Sequence, residues 1–246
     1  AARWAGREPD RADFETVDGI GAEVNGWVEA TVTGALAGGR LCGTLGGDHS
    51  VAYGAIAAHA RTYPGLGILH VDAHADLRAD FEGFRWSHGS VMENVFRDLP
   101  DVARIVHVGL RDVCEEEIER MAASDGRLVP FWDADLARAR LEGVPFARDV
   151  ERIVAALPRD VYVSFDIDGL DPVYCPHTGT PVPGGLDFHQ ASYLIGAVAR
   201  SGRRIVGFDL VEVAPGPDGD EWDGNVAMRL LYRLIGWALR NRGEAA

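Results

Sequence analysis

Short apolar runs alternate with longer stretches of mixed polarity along most of this chain. Six of the runs are almost continuously apolar, which is typical of strands that are covered on both faces of a sheet. These six predicted strands span residues 41–45, 67–71, 104–108, 128–131, 161–165 and 205–210. The stretches between and after them predict helices at 51–62, 91–99, 115–123, 146–157, 188–200 and 225–240. Asp187 precedes the fifth of these helices as a candidate N-cap.

The alternation of strands and helices with short connections predicts an α/β fold around a mostly parallel, doubly wound sheet. The 246 residues fit one large domain of this class, and no linker or repeat interrupts them. We therefore expect a single domain over residues 1–246. The sequence opens abruptly at Ala1 without a signal peptide, which leaves open that an N-terminal segment is missing.

The net charge of −14 limits the classes of possible partner. It argues against nucleic acid, which requires a basic surface, and it favours cations, both metal ions and positively charged small molecules. No apolar stretch approaches the length of a membrane span, so we expect no membrane partner. Three widely spaced cysteines show no disulfide or zinc pattern, and we predict a reducing, cytoplasmic location.

Acidic and imidazole side chains follow three of the predicted strands, at the point where each strand ends. In a doubly wound sheet, ligands collect outside the carboxyl ends of the strands, so segments remote in sequence can meet there. We expect these side chains to converge. They are His49 after the first strand, Asp72, His74 and Asp76 after the second, and Asp166 and Asp168 after the fifth.

The spacing within these clusters favours metal binding. Residues at i, i+2 and i+4 of an extended chain project to one side, so Asp72, His74 and Asp76 can grip one ion and reach a second. The Asp166–Asp168 pair repels itself unless a cation or a shared proton separates the two carboxylates. A surface acidic turn and a shared proton remain the alternatives. Two divalent ions would generate hydroxide at neutral pH, which indicates a hydrolase. Manganese suits the mixed oxygen and nitrogen ligands best, while nickel, cobalt, iron and zinc stay open.

Three ordered motifs carry a resemblance to a known family. They are Gly-Gly-Asp-His-Ser at 46–50, Asp-Ala-His-Ala-Asp at 72–76 and Ser-Phe-Asp-Ile-Asp-Gly-Leu-Asp-Pro at 164–172. The chain resembles the arginase/agmatinase (ureohydrolase) family over about residues 41–240, as a divergent agmatinase-type member. The resemblance implies a three-layer α/β/α fold, a binuclear manganese centre, a homo-oligomer (trimer or hexamer) and hydrolysis of a guanidino compound to urea and an amine. It also implies that all six clustered residues are metal ligands.

The same resemblance implies roles for three residues. Asp76 takes a proton from the water that bridges the ions, His88 returns a proton to the leaving amine, and Glu212 binds the guanidinium group. A carboxylate suits that last role because it can pair with the planar cation through two hydrogen bonds. The alternatives are a loop histidine without a role for His88 and an ordinary salt bridge for Glu212.

The substrate is less constrained, because the segment 77–87 lacks the Asn- and Ser-containing stretch with which arginases hold an amino acid. Agmatine or a related guanidine is the leading prediction. Arg78 and Arg85 raise the alternative of a guanidino acid, as in a guanidinobutyrase, whose carboxylate Arg85 would bind; arginase and guanidine hydrolase also stay open. A two-metal phosphatase is disfavoured because no histidine follows an asparagine. A metal-binding pseudoenzyme is the alternative outside the enzymes.

Overall fold

A six-stranded sheet, in which every strand runs parallel to its neighbours, forms the centre of the computed structural model, which describes residues 8 and 10–241. The strand order across the sheet is β1-β6-β5-β2-β3-β4. All six predicted strands are confirmed, most of them with slightly shifted ends. They are β1 (Cys42–Leu45), β2 (Gly67–Val71), β3 (Arg104–Leu110), β4 (Leu128–Trp132), β5 (Asp160–Asp166) and β6 (Arg204–Val211).

Eight helices surround the sheet in the described residues, and six of them correspond to the predicted ones. They are α1 (Arg11–Ala37), α2 (Ala52–Thr62), α3 (Val91–Asp98), α4 (Glu115–Ala122), α5 (Asp133–Leu141), α6 (Phe146–Ala156), α7 (Phe188–Arg200) and α8 (Trp222–Asn241). Asp187 caps α7, as predicted, by accepting a hydrogen bond from the backbone N–H of Gln190. Helices α1 and α5 were not predicted. Asp10 caps the first of them through hydrogen bonds from the N–H groups of Ala12 and Asp13.

Two apolar cores separate the sheet from its two helix layers. Helices α1 to α4 supply one core and α5 to α8 the other. Successive strand residues point to opposite faces, so in β2 Ile68 joins the first core and Leu69 joins the second. The predicted three-layer α/β/α architecture with a doubly wound parallel sheet is therefore confirmed. Within the described part of the chain, no helix is both long and apolar enough to cross a membrane.

The neighbouring strands β2 and β5 mark the point where the winding of the sheet reverses. From β2 the chain continues outward to β3 and β4, whereas from β5 it continues to β6 on the other side. The connections that leave these two strands therefore diverge and open a crevice at their carboxyl ends, which is where ligands bind in sheets of this kind.

Candidate metal centre and active site

The six predicted ligands converge at this crevice. His49 begins a short 3₁₀ turn after β1, Asp72 follows β2 directly, and Asp166 is the last residue of β5. Strands β2 and β5 are adjacent, and only β6 separates β5 from β1. The parallel order therefore brings together segments that are up to 119 residues apart in the chain, counting from residue 49 to residue 168.

A first group of side chains surrounds the imidazole of His49. Its Nδ1 lies 3.2 Å from Oδ2 of Asp72, 3.0 Å from Oδ2 of Asp76 and 3.4 Å from Oδ2 of Asp166. All four residues are at least 95% buried. One imidazole nitrogen and three carboxylate oxygens thus face the same small space, as the ligands of one ion do.

A second group surrounds the imidazole of His74. Its Nδ1 lies 3.4 Å from Oδ1 of Asp72 and 3.1 Å from Oδ2 of Asp168. Asp72 belongs to both groups, because its Oδ2 faces His49 while its Oδ1 faces His74 and accepts the His74 backbone N–H at 2.6 Å. The arrangement therefore offers two adjacent ligand groups that share one carboxylate.

The electrostatics of the two groups favour a bound cation. Burial, and then the charges of Asp168 and Asp72, raise the pKa of Asp166 well above its usual value. Burial also acts to raise the pKa of Asp72, but facing imidazoles, His70 foremost, hold that pKa well below its usual value. Within the described residues, His49 Nδ1 and Asp72 Oδ2 are buried and accept or donate no hydrogen bond. Divalent ions would give these atoms a partner and relieve the repulsion, so the residues fit a metal centre.

A chain of hydrogen bonds orients His49 from behind. Its Nε2 lies 2.9 Å from Oγ of Ser164, and that hydroxyl lies 3.0 Å from both carboxylate oxygens of Asp209. Asp209 also accepts the N–H of Phe165 at 3.1 Å. Since the Ser164 hydroxyl donates to Asp209, it accepts the Nε2–H of His49 and leaves Nδ1 free to bind an ion. Sequence reasoning missed both supporting residues, although each is a polar position inside an otherwise apolar strand.

Asp168 is held by partners from three segments. Its Oδ1 accepts the backbone N–H of Ala73 at 3.0 Å, and its Oδ2 accepts the hydroxyl of Thr180 at 3.1 Å. The guanidinium of Arg111 donates to its carbonyl oxygen at 2.6 Å and also to the carbonyl oxygens of residues 109, 170 and 182. Arg111, which sequence reasoning also missed, thus ties together the turns that carry the second group.

A cavity of about 170 Å³ opens beside the two groups. The predicted catalytic residues Asp76 and His88 and the predicted substrate-binding residue Glu212 all line it. The ring of His88 packs edge-on against Phe81, with 5.3 Å between the ring centroids. The remaining lining residues are His49, His74, Arg78, Gly89, Asp112, Glu117, Asp166 and Thr180.

Glu212 is positioned by its own backbone and by the metal-ligand segment. Its φ of +61° lies in the left-handed region, which is strained for a residue other than glycine and recurs at functional sites. The carbonyl oxygen of Glu212 accepts the hydroxyl of Thr178 at 2.8 Å, and Oε1 accepts the backbone N–H of His49 at 2.7 Å. Burial raises the pKa of this carboxyl. The side chain is therefore fixed at the cavity wall.

The structure does not bring Arg85 into the cavity. Its guanidinium pairs with Asp98, donates to Oδ1 of Asn94 at 3.2 Å and stacks on the ring of Trp86. Asp98 and Asn94 hold this guanidinium beside α3. The structure therefore does not support the predicted contact between Arg85 and a substrate carboxylate. Arg78, the other arginine considered, does line the cavity, with its Nε 3.4 Å from Oε2 of Glu117.

Comparison with known proteins gives a consistent result. The model of the arginase family matches residues 10–236. N(1)-aminopropylagmatine ureohydrolase from Thermus thermophilus is 37% identical over 201 residues, which cover 82% of this chain and 64% of that protein. Mitochondrial arginase-2 from Rattus norvegicus is 34% identical over 221 residues, which cover 83% of this chain and 61% of that protein. The crystal structure of agmatine ureohydrolase from Thermoplasma volcanium superposes with a TM-score of 0.76 at 29% identity, covering 92% and 72%. The chain thus spans less than two thirds of these two curated relatives.

Proposed function

The chain belongs to the arginase family, and from that premise we propose that it hydrolyses a guanidino compound to urea and an amine. The predicted resemblance to this family is confirmed. The observation that carries the proposed activity is the pair of buried ligand groups that share Asp72, placed beside a cavity that contains Glu212 and His88. A binding protein without activity would have no need for the proton-transfer and guanidinium-binding groups to face the same space.

We propose that the two groups hold two divalent ions. His49, Asp72, Asp76 and Asp166 would hold one, and Asp72, His74 and Asp168 would hold the other. Such a pair supplies a hydroxide nucleophile at neutral pH. Manganese is the proposed metal because carboxylates outnumber imidazoles in both groups, and nickel is the second choice. Metal analysis of the reconstituted protein tests this, with two ions per chain as the expected result.

The chain's own residues would carry the other parts of the reaction. Glu212 presents a negative charge to the planar guanidinium and orients its carbon toward the ligand groups. A carboxylate oxygen of Asp76 accepts the proton of the attacking water. A ring nitrogen of His88 then gives a proton to the departing amine, without which the amine is a poor leaving group.

We propose a substrate whose tail is an amine, such as agmatine or a longer relative of it. Two observations support this. Asp112 and Glu117 line the cavity in addition to the ligand groups, so its field favours a second positive charge. Relatives are named for agmatine and for aminopropylagmatine. The presence of Arg78 in the cavity favours a second candidate, a guanidino acid such as guanidinobutyrate.

Urea release from a panel of substrates tests the activity and separates the candidates. The purified chain would be loaded with manganese or nickel and assayed with agmatine, aminopropylagmatine, arginine, guanidinobutyrate, guanidinopropionate and guanidine. We expect the highest kcat/KM with an amine-tailed guanidine. A preference for guanidinobutyrate that Arg78→Gln abolishes would instead support the second candidate. No urea from any of them, with two ions bound per chain, would contradict the proposed function, and phosphate release from a phosphate ester would point to a two-metal phosphatase.

Three further proposals concern the whole protein. We propose one domain over residues 1–246 that forms a homo-oligomer, a trimer or hexamer, because large apolar side chains stand exposed on three helices. They are Trp27 (69% exposed), Leu141 (89%) and Tyr232 (75%). Light scattering of the eluting protein measures that state. We also propose a cytoplasmic location, which the free thiols of Cys114 and Cys175 support.

A further inference from the structure

Two buried histidines that take no part in the proposed reaction lie behind Asp72. His70 and His107 are register partners on β2 and β3, and neither exposes any surface. Their rings meet nearly edge to face, and their Nδ1 atoms are 2.9 Å apart. Two imidazole nitrogens at that distance share one proton, so one ring donates and the other accepts. The contact alone leaves the direction of that bond open.

The other nitrogen of His70 faces the shared carboxylate. Its Nε2 lies 2.9 Å from Oδ2 of Asp72, the oxygen that also faces His49. The opposite oxygen, Oδ1, is held by the backbone N–H of His74. Among the described residues neither atom forms a hydrogen bond, so their 2.9 Å separation is a close polar contact without hydrogen-bond geometry. His70 is therefore placed to orient this half of Asp72.

The chemistry of the three groups fixes the direction. An unprotonated nitrogen and a carboxylate oxygen would repel each other at 2.9 Å, so the contact with Asp72 requires a proton on Nε2 of His70. In a neutral ring, Nδ1 of His70 is then an acceptor, and His107 must donate from its own Nδ1. Burial holds the pKa of His107 well below its usual value, which keeps this ring neutral. The reverse direction would aim a lone pair of His70 at the carboxylate and leave a buried N–H on His107 without an acceptor, which is rare in proteins.

We propose that His70 and His107 are positioning residues, in which His107 fixes His70 as the tautomer that carries its proton on Nε2, the atom that faces Asp72, and so holds the shared carboxylate in the orientation that two ions need. The inference rests on the proposed two-metal function. Hydrogen-bonded groups behind metal ligands typically change metal affinity about 10- to 100-fold when they are removed. His70 and His107 would act on Asp72 as Ser164 and Asp209 act on His49, from the opposite side of the cluster.

The tautomers can be measured directly in the wild-type protein. The full chain, with its histidine rings labelled with ¹⁵N and with Zn²⁺ bound as a diamagnetic probe, would give separate signals for protonated and unprotonated ring nitrogens. We expect a proton on Nε2 but not on Nδ1 of His70, and a proton on Nδ1 of His107. An unprotonated Nε2 on His70 would overturn the proposal. Because this measurement needs no variant, it holds even if substitutions disturb folding.

Metal affinity of three variants provides the second test, by competition with a chelator for Mn²⁺. His107→Leu removes the donor, whereas His107→Gln keeps an amide N–H that can reach Nδ1 of His70. We expect affinity for at least one ion to fall about 10- to 100-fold in the first variant and to stay near wild type in the second. His59→Leu is the matched control, because His59 is an equally buried histidine whose Nδ1 bonds the carbonyl oxygen of Ala55 within α2.

Three outcomes would overturn the proposal: unchanged affinity in His107→Leu, equal losses in the leucine and glutamine variants, or the same loss in His59→Leu. Failure of the proposed function is distinguishable from these. If the wild type binds two ions and shows the expected tautomers but releases no urea, the reaction is wrong and the positioning role stands. If the wild type binds no ions, the positioning role is wrong as well.

Discussion

Replacing Glu212 with glutamine would remove one negative charge from the cavity with little disturbance of its surroundings. The carboxylate accepts the backbone N–H of His49 at 2.7 Å, and the side-chain oxygen of glutamine can accept the same bond. Both residues meet the same backbone strain at a φ of +61°. The substitution therefore isolates the charge, and we expect the melting temperature and the metal content to stay close to those of the wild type.

The size of the effect follows from the bond that is lost. A hydrogen bond between a carboxylate and a charged partner contributes about 1.5–3 kcal/mol, and each ~1.4 kcal/mol corresponds to a factor of ten. We therefore expect kcat/KM for the best guanidino substrate to fall about 10- to 150-fold in Glu212→Gln, measured as the initial rate of urea release. We expect a similar fall in kcat/KM for every guanidino compound, because the guanidinium group is common to all of them.

Glu221→Gln is the matched control, since it removes the same charge from an exposed position outside the cavity. It should leave kcat/KM within about twofold of wild type, because water and salt screen the effect of distant exposed charges. A Glu212→Gln enzyme that retains both ions and nearly full kcat/KM would refute the reasoning. It would mean that this carboxylate serves only to hold the His49 backbone.

Three other perturbations have definite expected results. Ser164→Ala removes the hydroxyl that accepts the Nε2–H of His49. Competition with a chelator should then show a metal affinity about 10- to 100-fold lower than that of the wild type. Unchanged affinity would contradict the proposed tautomer of His49. Burial acts to lower the pKa of His74, but nearby carboxylates, Asp168 first, outweigh it and raise that pKa from 6.5 to about 11 in the metal-free protein. An ion that binds His74 at neutral pH must therefore displace a proton from its ring. The apparent affinity for Mn²⁺ should rise by up to about tenfold per pH unit in titrations between about pH 6 and 8. An affinity that does not change with pH would contradict this prediction. Arg111→Met leaves four carbonyl oxygens without their guanidinium donor. The free energy of unfolding, measured by thermal or urea unfolding, should fall by about 3–5 kcal/mol. A fall below about 1 kcal/mol would show that water replaces the guanidinium.

The sheet was predictable because its strands are buried on both faces and so form nearly continuous apolar runs. The two unpredicted helices lack such a signal. Helix α1 contains four glycines and buries only a narrow stripe that includes Val28, Val32 and Leu36. Helix α5 is short and rich in arginine, and Leu136 is its only buried apolar residue. In both cases tertiary contacts decide the structure where local propensity is weak.

The convergence of the candidate ligands was predictable because each stands at the carboxyl end of a parallel strand, where topology dictates the meeting point. The position of Arg85 was not, since spacing in a loop does not tell which way a side chain turns. The sequence suggested that it stands near the entrance of the site, but its guanidinium pairs with Asp98 on α3 instead. The supporting network of Ser164, Asp209 and His70 depends on which strands are neighbours, which only the assembled sheet reveals.

The order of the strands along the chain also has a consequence for the folding and the degradation of the protein. Because the candidate ligands follow β1, β2 and β5, neither the N-terminal nor the C-terminal half of the chain carries a complete set, and a nascent chain that ends before β5 offers incoming ions only part of the site. Parallel pairing between distant segments is slow, so ion capture should be among the last events of folding. Once captured, the ions oppose the cooperative opening of the whole molecule by mass action, whereas the fraying of loops that carry no ligand is unaffected. A shortage of metal would then shorten the lifetime of the whole protein in the presence of proteases.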